Sequence, residues 1–270
     1  MRMRNSALVA LGLLGACGGG GSSTPTTPST PPTIPVSSAC GALGQAVSAS
    51  TAIVNGGECS TANSPVVLLN MKDSGGQQLG SCSGTVIAQR AILTAAHCIG
   101  IGAATGTIKV FLGSGPELVT QSFAVHPSWR EANNTAFDAA VVLMPEDIGR
   151  TPLPLLLSRD ARVSENAILA GWGKDSIAGV PATLRAGVAT ITAVSALTLQ
   201  TTFTTTASSV CQGDSGGPIL LSEGGGWAVG GVISANSTLA CSSGDNFYAN
   251  IRHPEISGFI LGRVPDASRR

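Results

Sequence analysis

The sequence predicts an all-β domain, a barrel or a sandwich, followed by one short helix. Three observations carry that expectation: short β-prone runs recur along the chain, turn residues stand between them, and long helical periodicity is absent. In order the runs are Val66–Asn70, Gly84–Ala88, Ala91–Thr94, Ile108–Leu112, Ala139–Met144, Ala167–Ala170, Gly187–Ile191, Pro218–Leu221 and Trp227–Ser234. Asn63-Ser64-Pro65 precedes the first run and Asp73-Ser74-Gly75-Gly76 follows it. Gly113-Ser114-Gly115-Pro116 ends the fourth, and Gly224-Gly225-Gly226 separates the last two. Only the tail, Pro254–Leu261, suits a helix, with Ile256, Phe259 and Ile260 turned inward. No internal repeat is visible.

The 270 residues divide by composition. Met1-Arg2-Met3-Arg4 is basic and Ala7–Ala16 apolar, the pattern of a signal peptide over residues 1–16. That run falls short of the roughly 20 apolar residues a membrane span needs. Leu14-Gly15-Ala16-Cys17 resembles a bacterial lipobox, which would make Cys17 a lipidated first residue. A chance cysteine after an ordinary signal peptide is the plainer alternative. Residues 17–36 are nearly all Gly, Ser, Thr and Pro and read as a disordered tether. Residues 37–52 read as propeptide-like and 53–270 as the folded domain, long enough for one core or two small barrels. Charge is sparse, at 11%, and balanced at 15 basic and 15 acidic residues, so nucleic acid is not an expected partner.

Chemistry concentrates in Cys211-Gln212-Gly213-Asp214-Ser215-Gly216-Gly217-Pro218. Its glycines let the chain bend sharply around one serine and turn backbone N–H groups toward a ligand. Such preset donors suit a developing oxyanion. A serine hydroxyl needs a general base, itself oriented by a third group. Thr94-Ala95-Ala96-His97-Cys98 offers the base and Phe137-Asp138-Ala139-Ala140 the carboxylate. Singly, each has a plain structural reading: a buried histidine, a turn aspartate, a small residue in a glycine turn. Gly213-Asp214-Ser215-Gly216-Gly217 also fits the loose elbow of esterases, with Asp245 and His253 as partners, but the alternating strands and helices of that fold are missing. The cysteines lack close zinc-type spacing, so no metal is expected.

These segments, with Ile53-Val54-Asn55-Gly56-Gly57, Val125-His126-Pro127-Ser128-Trp129, Gly171-Trp172-Gly173 and Val232-Ile233-Ser234, resemble the chymotrypsin/trypsin family from Ile53 to about Leu261. The resemblance implies two six-stranded antiparallel β-barrels of the chymotrypsin-like type with a short C-terminal helix. It implies a serine endopeptidase with Ser215 as nucleophile, His97 as base, Asp138 as its orienting partner, the N–H groups of Gly213 and Ser215 as oxyanion hole, and no cofactor. A protease-like domain that binds without cutting is the alternative. His126 and His253 fall outside the segment that carries the family's base.

Within this frame Cys82–Cys98 is expected to staple the His97 loop and Cys211–Cys241 the serine loop, which leaves Cys40–Cys59. A cut before Ile53 would free an α-amino group to pair with Asp214. The residue ahead of it is Ala52, where the family usually carries Arg or Lys, so an enzyme preferring small residues is expected to make that cut. At the base of the primary pocket the resemblance places Ser209, with Asn236 and Asn246 as walls. Small or medium uncharged residues should fit, unless a one-residue shift brings Asp245 inside. Ser234 to Asn236 should pair with substrate backbone as an added strand. The expected protein is an exported monomer acting on proteins or peptides, either secreted or held to a membrane, on its periplasmic or cell-surface side, through Cys17.

Overall fold

The structure, a computed structural model, describes residues 35–45, 47–49, 54–100, 107–133, 135–174, 183–238 and 240–270. Cys17 and Ile53, with the segments read as signal peptide and most of the tether, lie outside the described residues.

The first described elements are helix α1 (Val36–Ala42) and strands β1 (Val47–Ala49) and β2 (Gly57–Cys59). An antiparallel half-barrel follows: β3 (Val66–Lys72), β4 (Gln78–Ala88), β5 (Ala91–Thr94), then helix α2 (Ala96–Gly100), β6 (Thr107–Phe111), β7 (Leu118–Val119), β8 (Ser122–Val125) and β9 (Ala140–Leu143). Its order is β7-β6-β3-β4-β5-β9-β8. Among the described residues no ladder joins its two end strands.

The second sheet contains β10 (Asn166–Gly171), β11 (Arg185–Val194), β12 (Thr198–Thr202), β13 (Pro218–Glu223), β14 (Gly226–Asn236) and β15 (Asp245–Asn250). Its order is β1-β2-β11-β10-β13-β14-β15-β12, and a further β11–β12 ladder closes six of these strands into a barrel. Closure leaves no free edge among them. Helix α3 (Pro254–Arg263) follows, with Ile256 and Ile260 buried and Pro254 at its start, where a missing N–H costs nothing. Among the described residues no helix is long and apolar enough to cross a membrane.

Valine, isoleucine and leucine fill both interiors because strand residues alternate between faces. Trp172, fully buried, bridges the two sheets. Its indole N–H donates to the Val66 carbonyl at 3.1 Å, and its ring meets Phe111 edge-on at 6.0 Å. All three expected disulfides are formed: Cys40–Cys59, Cys82–Cys98 and Cys211–Cys241. The first ties α1 to β2. Ala39, Cys40, Ala42 and Leu43 are buried in the main core, so the segment ahead of Ile53 contributes core side chains and two elements.

Candidate active site

His97 sits in the short α2 turn after β5, pinned by the Cys82–Cys98 bridge beside it. Asp138 is fully buried just before β9. Phe137 ahead of it has φ +57, an uncommon backbone for a non-glycine residue that costs on the order of 1–3 kcal/mol. The Asp138 carboxylate accepts from the His97 backbone N–H at 2.9 Å and from His97 Nδ1 at 2.8 Å. It also accepts from the Ser234 hydroxyl at 2.5 Å. A carboxylate that accepts from Nδ1 keeps the hydrogen there, which leaves Nε2 with a lone pair on the ring's far side.

Ser234 reaches Asp138 because β14 bulges. Ile233 pairs with Tyr248 and Ala235 with Phe247, so Ser234 is an extra residue with no β15 partner. Bulges of this kind re-aim side chains beside active sites. Its hydroxyl contact with Asp138 was not among the sequence expectations for Ser234, which concerned the substrate pocket and substrate backbone, and Ser234 does line the cavity beside Ser215.

The serine turn is anchored on the half-barrel. Ser83 of β4 donates its backbone N–H to the Ser215 carbonyl at 2.7 Å and its hydroxyl to the Gly213 carbonyl at 2.8 Å. The same hydroxyl accepts from Trp172 N–H at 2.9 Å. Sequence reasoning missed Ser83, whose one signal is its place beside Cys82. Gly216, at φ +83, packs so close that a Cβ there would lie 2.1 Å from Thr94 Oγ1 and 3.0 Å from the Ala95 nitrogen. That approach sets Ser215 against the segment leading into His97.

Gly213 has φ +97, and among the described residues neither its N–H nor that of Ser215 has an acceptor. Two free donors in one turn suit an incoming oxyanion. The Ser215 hydroxyl also makes no hydrogen bond among the described residues, and His97 Nε2 instead lies 3.8 Å from Cys98 Sγ. Catalytic hydrogen bonds commonly tighten only when substrate is bound.

His126 and His253 are placed elsewhere. His126 is buried, stacked on Phe137 at 5.0 Å and bonded to the Glu255 carbonyl at 3.3 Å. Desolvation holds its pKa below the ordinary histidine value. His253 precedes α3. Cys82, His97 and Cys98 have mutually close ligand atoms, but both sulfurs are joined in the disulfide and offer no thiolate to a metal.

Beside Ser215 opens a cavity of about 190 Å³, bounded by Val210, Gln212, Ala235, Asn236 and Thr238 among others. It is smaller than the roughly 300–1,000 Å³ of drug-sized ligand sites and suits one side chain. Asn236 lines it. Ser209 and Asn246 stand behind it, fully buried and bonded to each other at 3.1 Å, and Asn236 Nδ2 donates to the same Asn246 oxygen at 2.8 Å. Asn246 Nδ2 in turn donates to Thr201. The structure places Asp245 away from the cavity. Alternation along β15 turns it away from Asn246, and its carboxylate accepts from Thr202 at 2.6 Å across the β12–β15 pair, off the cavity wall.

Asp214 is fully buried, and burial pushes its pKa from an ordinary 3.8 to about 6. The Cys211 and Gly173 N–H groups, each 2.8 Å away, and the charge of Arg185 pull it back down. Between about pH 3.8 and 6 the folded protein holds a proton there that the unfolded chain lacks. Stability from this group is therefore greatest below 3.8, falls as pH rises through the window, and is flat above it. Asp214→Asn should remove that slope. The unfolding free energy of wild type minus variant should drop by about 2 kcal/mol between pH 4 and 7, read from denaturant melts. A difference that does not change with pH would contradict the assignment.

A family model described as trypsin matches residues 53–257. Chymotrypsin-like elastase family member 1 of Bos taurus is 32% identical over 197 residues, which are 63% of this chain and 73% of the relative. The Homo sapiens protein of the same name is 27% identical over 215 residues, 70% of this chain and 83% of the relative. A solved structure of HL collagenase superposes with TM-score 0.63 at 20% identity, covering 76% of this chain and 95% of the other. At that identity the superposition bears on the fold alone, the chymotrypsin-like one.

Proposed function

We propose that this chain, which belongs to the trypsin family, is a serine endopeptidase that works through His97, Asp138 and Ser215. The observation that carries the reading is the His97–Asp138 pair at 2.8 Å beside a serine turn with two N–H donors unpartnered among the described residues. In this mechanism Ser215 Oγ attacks the scissile carbonyl carbon as His97 Nε2 takes its proton. The carbonyl electron pair moves onto oxygen, where the N–H groups of Gly213 and Ser215 hold it. Collapse breaks the carbon–nitrogen bond, and His97 gives its proton to the leaving amine. A water, activated by His97 in the same way, then hydrolyses the acyl-enzyme. Asp138 keeps the imidazole in its tautomer and balances the imidazolium charge. No metal or organic cofactor takes part.

The bond cut follows a small or medium uncharged residue. Among the described residues the cavity wall carries no carboxylate, and the amide and hydroxyl groups of Asn236, Asn246 and Ser209 satisfy one another, leaving little to recognise a charge. Relatives named as elastases fit this preference, since elastase-type pockets are small. Ser234 to Asn236 take up substrate backbone as an added strand. Ala52 itself meets the rule, so a cut before Ile53 by a second copy of the chain is part of the proposal. Three disulfides fit export to an oxidising compartment. Leu14-Gly15-Ala16-Cys17 supports a lipid anchor, with residues 17–36 as tether and the monomer as the working unit.

Peptide-library cleavage read by mass spectrometry tests this, using protein cut before Ile53 beside its Ser215→Ala variant. Ser215-dependent cleavage after residues such as Ala, Val or Ser is expected. No Ser215-dependent cleavage by folded protein would turn the reading to a binding domain without activity, and cleavage after Arg or Lys would overturn the pocket assignment.

A further inference from the structure

The buried Asp214 carboxylate is held by two backbone N–H groups, and one of them belongs to a residue whose carbonyl meets a cation. Gly173 donates its N–H to Asp214 Oδ1 at 2.8 Å and accepts on its carbonyl from Arg185 Nη1 at 2.8 Å. Arg185 opens β11 and is itself buried. Its other guanidinium nitrogen lies 3.7 Å from Glu58 Oε1, the residue opposite it in the β2–β11 ladder. Guanidinium stays protonated at any working pH and can fix two partners at once through its planar fork. The charge is close enough to Asp214 to lower that carboxyl's pKa against the effect of burial.

An ionised carboxylate buried without a cation is costly by several kcal/mol. A freed α-amino group at Ile53 is one candidate to meet it. Arg185 already supplies positive charge from within the barrel. The turn that contains Asp214 has its donors set: Gly213 lies at φ +97 and the N–H groups of Gly213 and Ser215 are unpartnered among the described residues. Helix α1 and strand β1, which precede the expected cut, are folded onto this barrel in the same structure.

We infer that Arg185 is a positioning residue that holds Asp214 and the oxyanion turn in working order while the chain is still uncut between Ala52 and Ile53. The inference rests on the serine-endopeptidase reading. It makes the uncut chain competent and turns cleavage into a modulation of activity.

The test compares cut protein with Ala52→Pro protein, shown by mass spectrometry under reduction to be one uncut chain. Each is made with Arg185, Arg185→Gln and Arg185→Lys. Glutamine keeps a donor for the Gly173 carbonyl but removes the charge, and lysine restores charge. Kinetic constants on one peptide from the library and thermal midpoints are measured together. The uncut Arg185 protein should have kcat within about tenfold of the cut protein. In the uncut chain Arg185→Gln should lower kcat by about 10²–10³, the scale of losing an oxyanion donor, with KM changed less than about threefold. Lysine should recover most of it. In the cut chain the same change should cost less than about tenfold, because the new amine supplies a cation.

An inert uncut protein beside an active cut one overturns the inference alone, whether or not any Arg185 variant folds. An Arg185→Gln protein that loses thermal stability yet keeps kcat in the uncut chain also overturns it. An inert cut protein overturns the peptidase reading, and the inference with it.

Discussion

Replacing Ser215 by alanine is expected to lower kcat by about 10⁶, the scale seen when a triad nucleophile is removed. The same change should leave stability nearly untouched. The hydroxyl makes no hydrogen bond among the described residues, and the turn is held instead by backbone bonds from Ser83 N–H to Ser215 O and from Gly216 N–H to Ile233 O. Substitutions that remove no packing or buried bond usually stay within about 0.5 kcal/mol. A variant that is silent in peptide cleavage and melts with the wild type separates lost chemistry from lost fold. Retention of more than about one hundredth of the wild-type kcat would mean that another group attacks the peptide bond.

Asp138→Asn carries the second-largest expected loss, about 10⁴ in kcat near neutral pH. The carboxylate accepts from three donors: His97 N–H, His97 Nδ1 and the Ser234 hydroxyl. An asparagine can present its oxygen to some of these but must turn an N–H₂ group toward another. With that group facing Nδ1, the imidazole takes the other tautomer, and Nε2 can no longer accept the Ser215 proton. Unlike the serine change, this one should also cost stability, by about 1–3 kcal/mol, because a buried donor is left without its partner. A kcat within tenfold of wild type would remove Asp138 from the proposed mechanism.

Most of the fold was legible where strands bury one or both faces in aliphatic residues. Ala91–Thr94 has the same bounds in sequence and structure, and Val66–Asn70 was extended only to Lys72. Strands β12 and β15 were not legible. Thr198–Thr202 and Asp245–Asn250 close the barrel with Thr201, Asn246 and Asn250 buried, so polar residues satisfied by hydrogen bonds occupy places where an apolar alternation would have been the signal. Helix α1 went unread for a different reason. Positions 36, 39, 40 and 43 have helical spacing, but the Pro- and Ser-rich sequence ahead of them masks so short a pattern.

The candidate site was legible in its charged and nucleophilic members because chemistry demands particular residue types in short local contexts. His97 and Asp138, read from two separate segments, lie in contact. The residues that position them were opaque. Ser83 acts on the serine turn through its backbone N–H and its hydroxyl, from a strand of the half-barrel, Ser234 acts through a bulge, and Arg185 through the carbonyl of Gly173. Each depends on tertiary approach, which no local spacing announces. Asp245 was uncertain for the complementary reason, since one residue of offset along a strand reverses the face a side chain occupies.

The proposed mechanism turns on Ser215 as a nucleophile activated by His97. A covalent phosphonate probe for serine hydrolases, followed by intact-mass measurement and peptide mapping, tests it most directly. The account predicts a single adduct on Ser215, formed at least about 10³ times more slowly in a folded His97→Ala variant, because the hydroxyl then lacks its base. No adduct on folded wild-type protein, or an adduct on Ser215 whose rate is indifferent to His97, would contradict it.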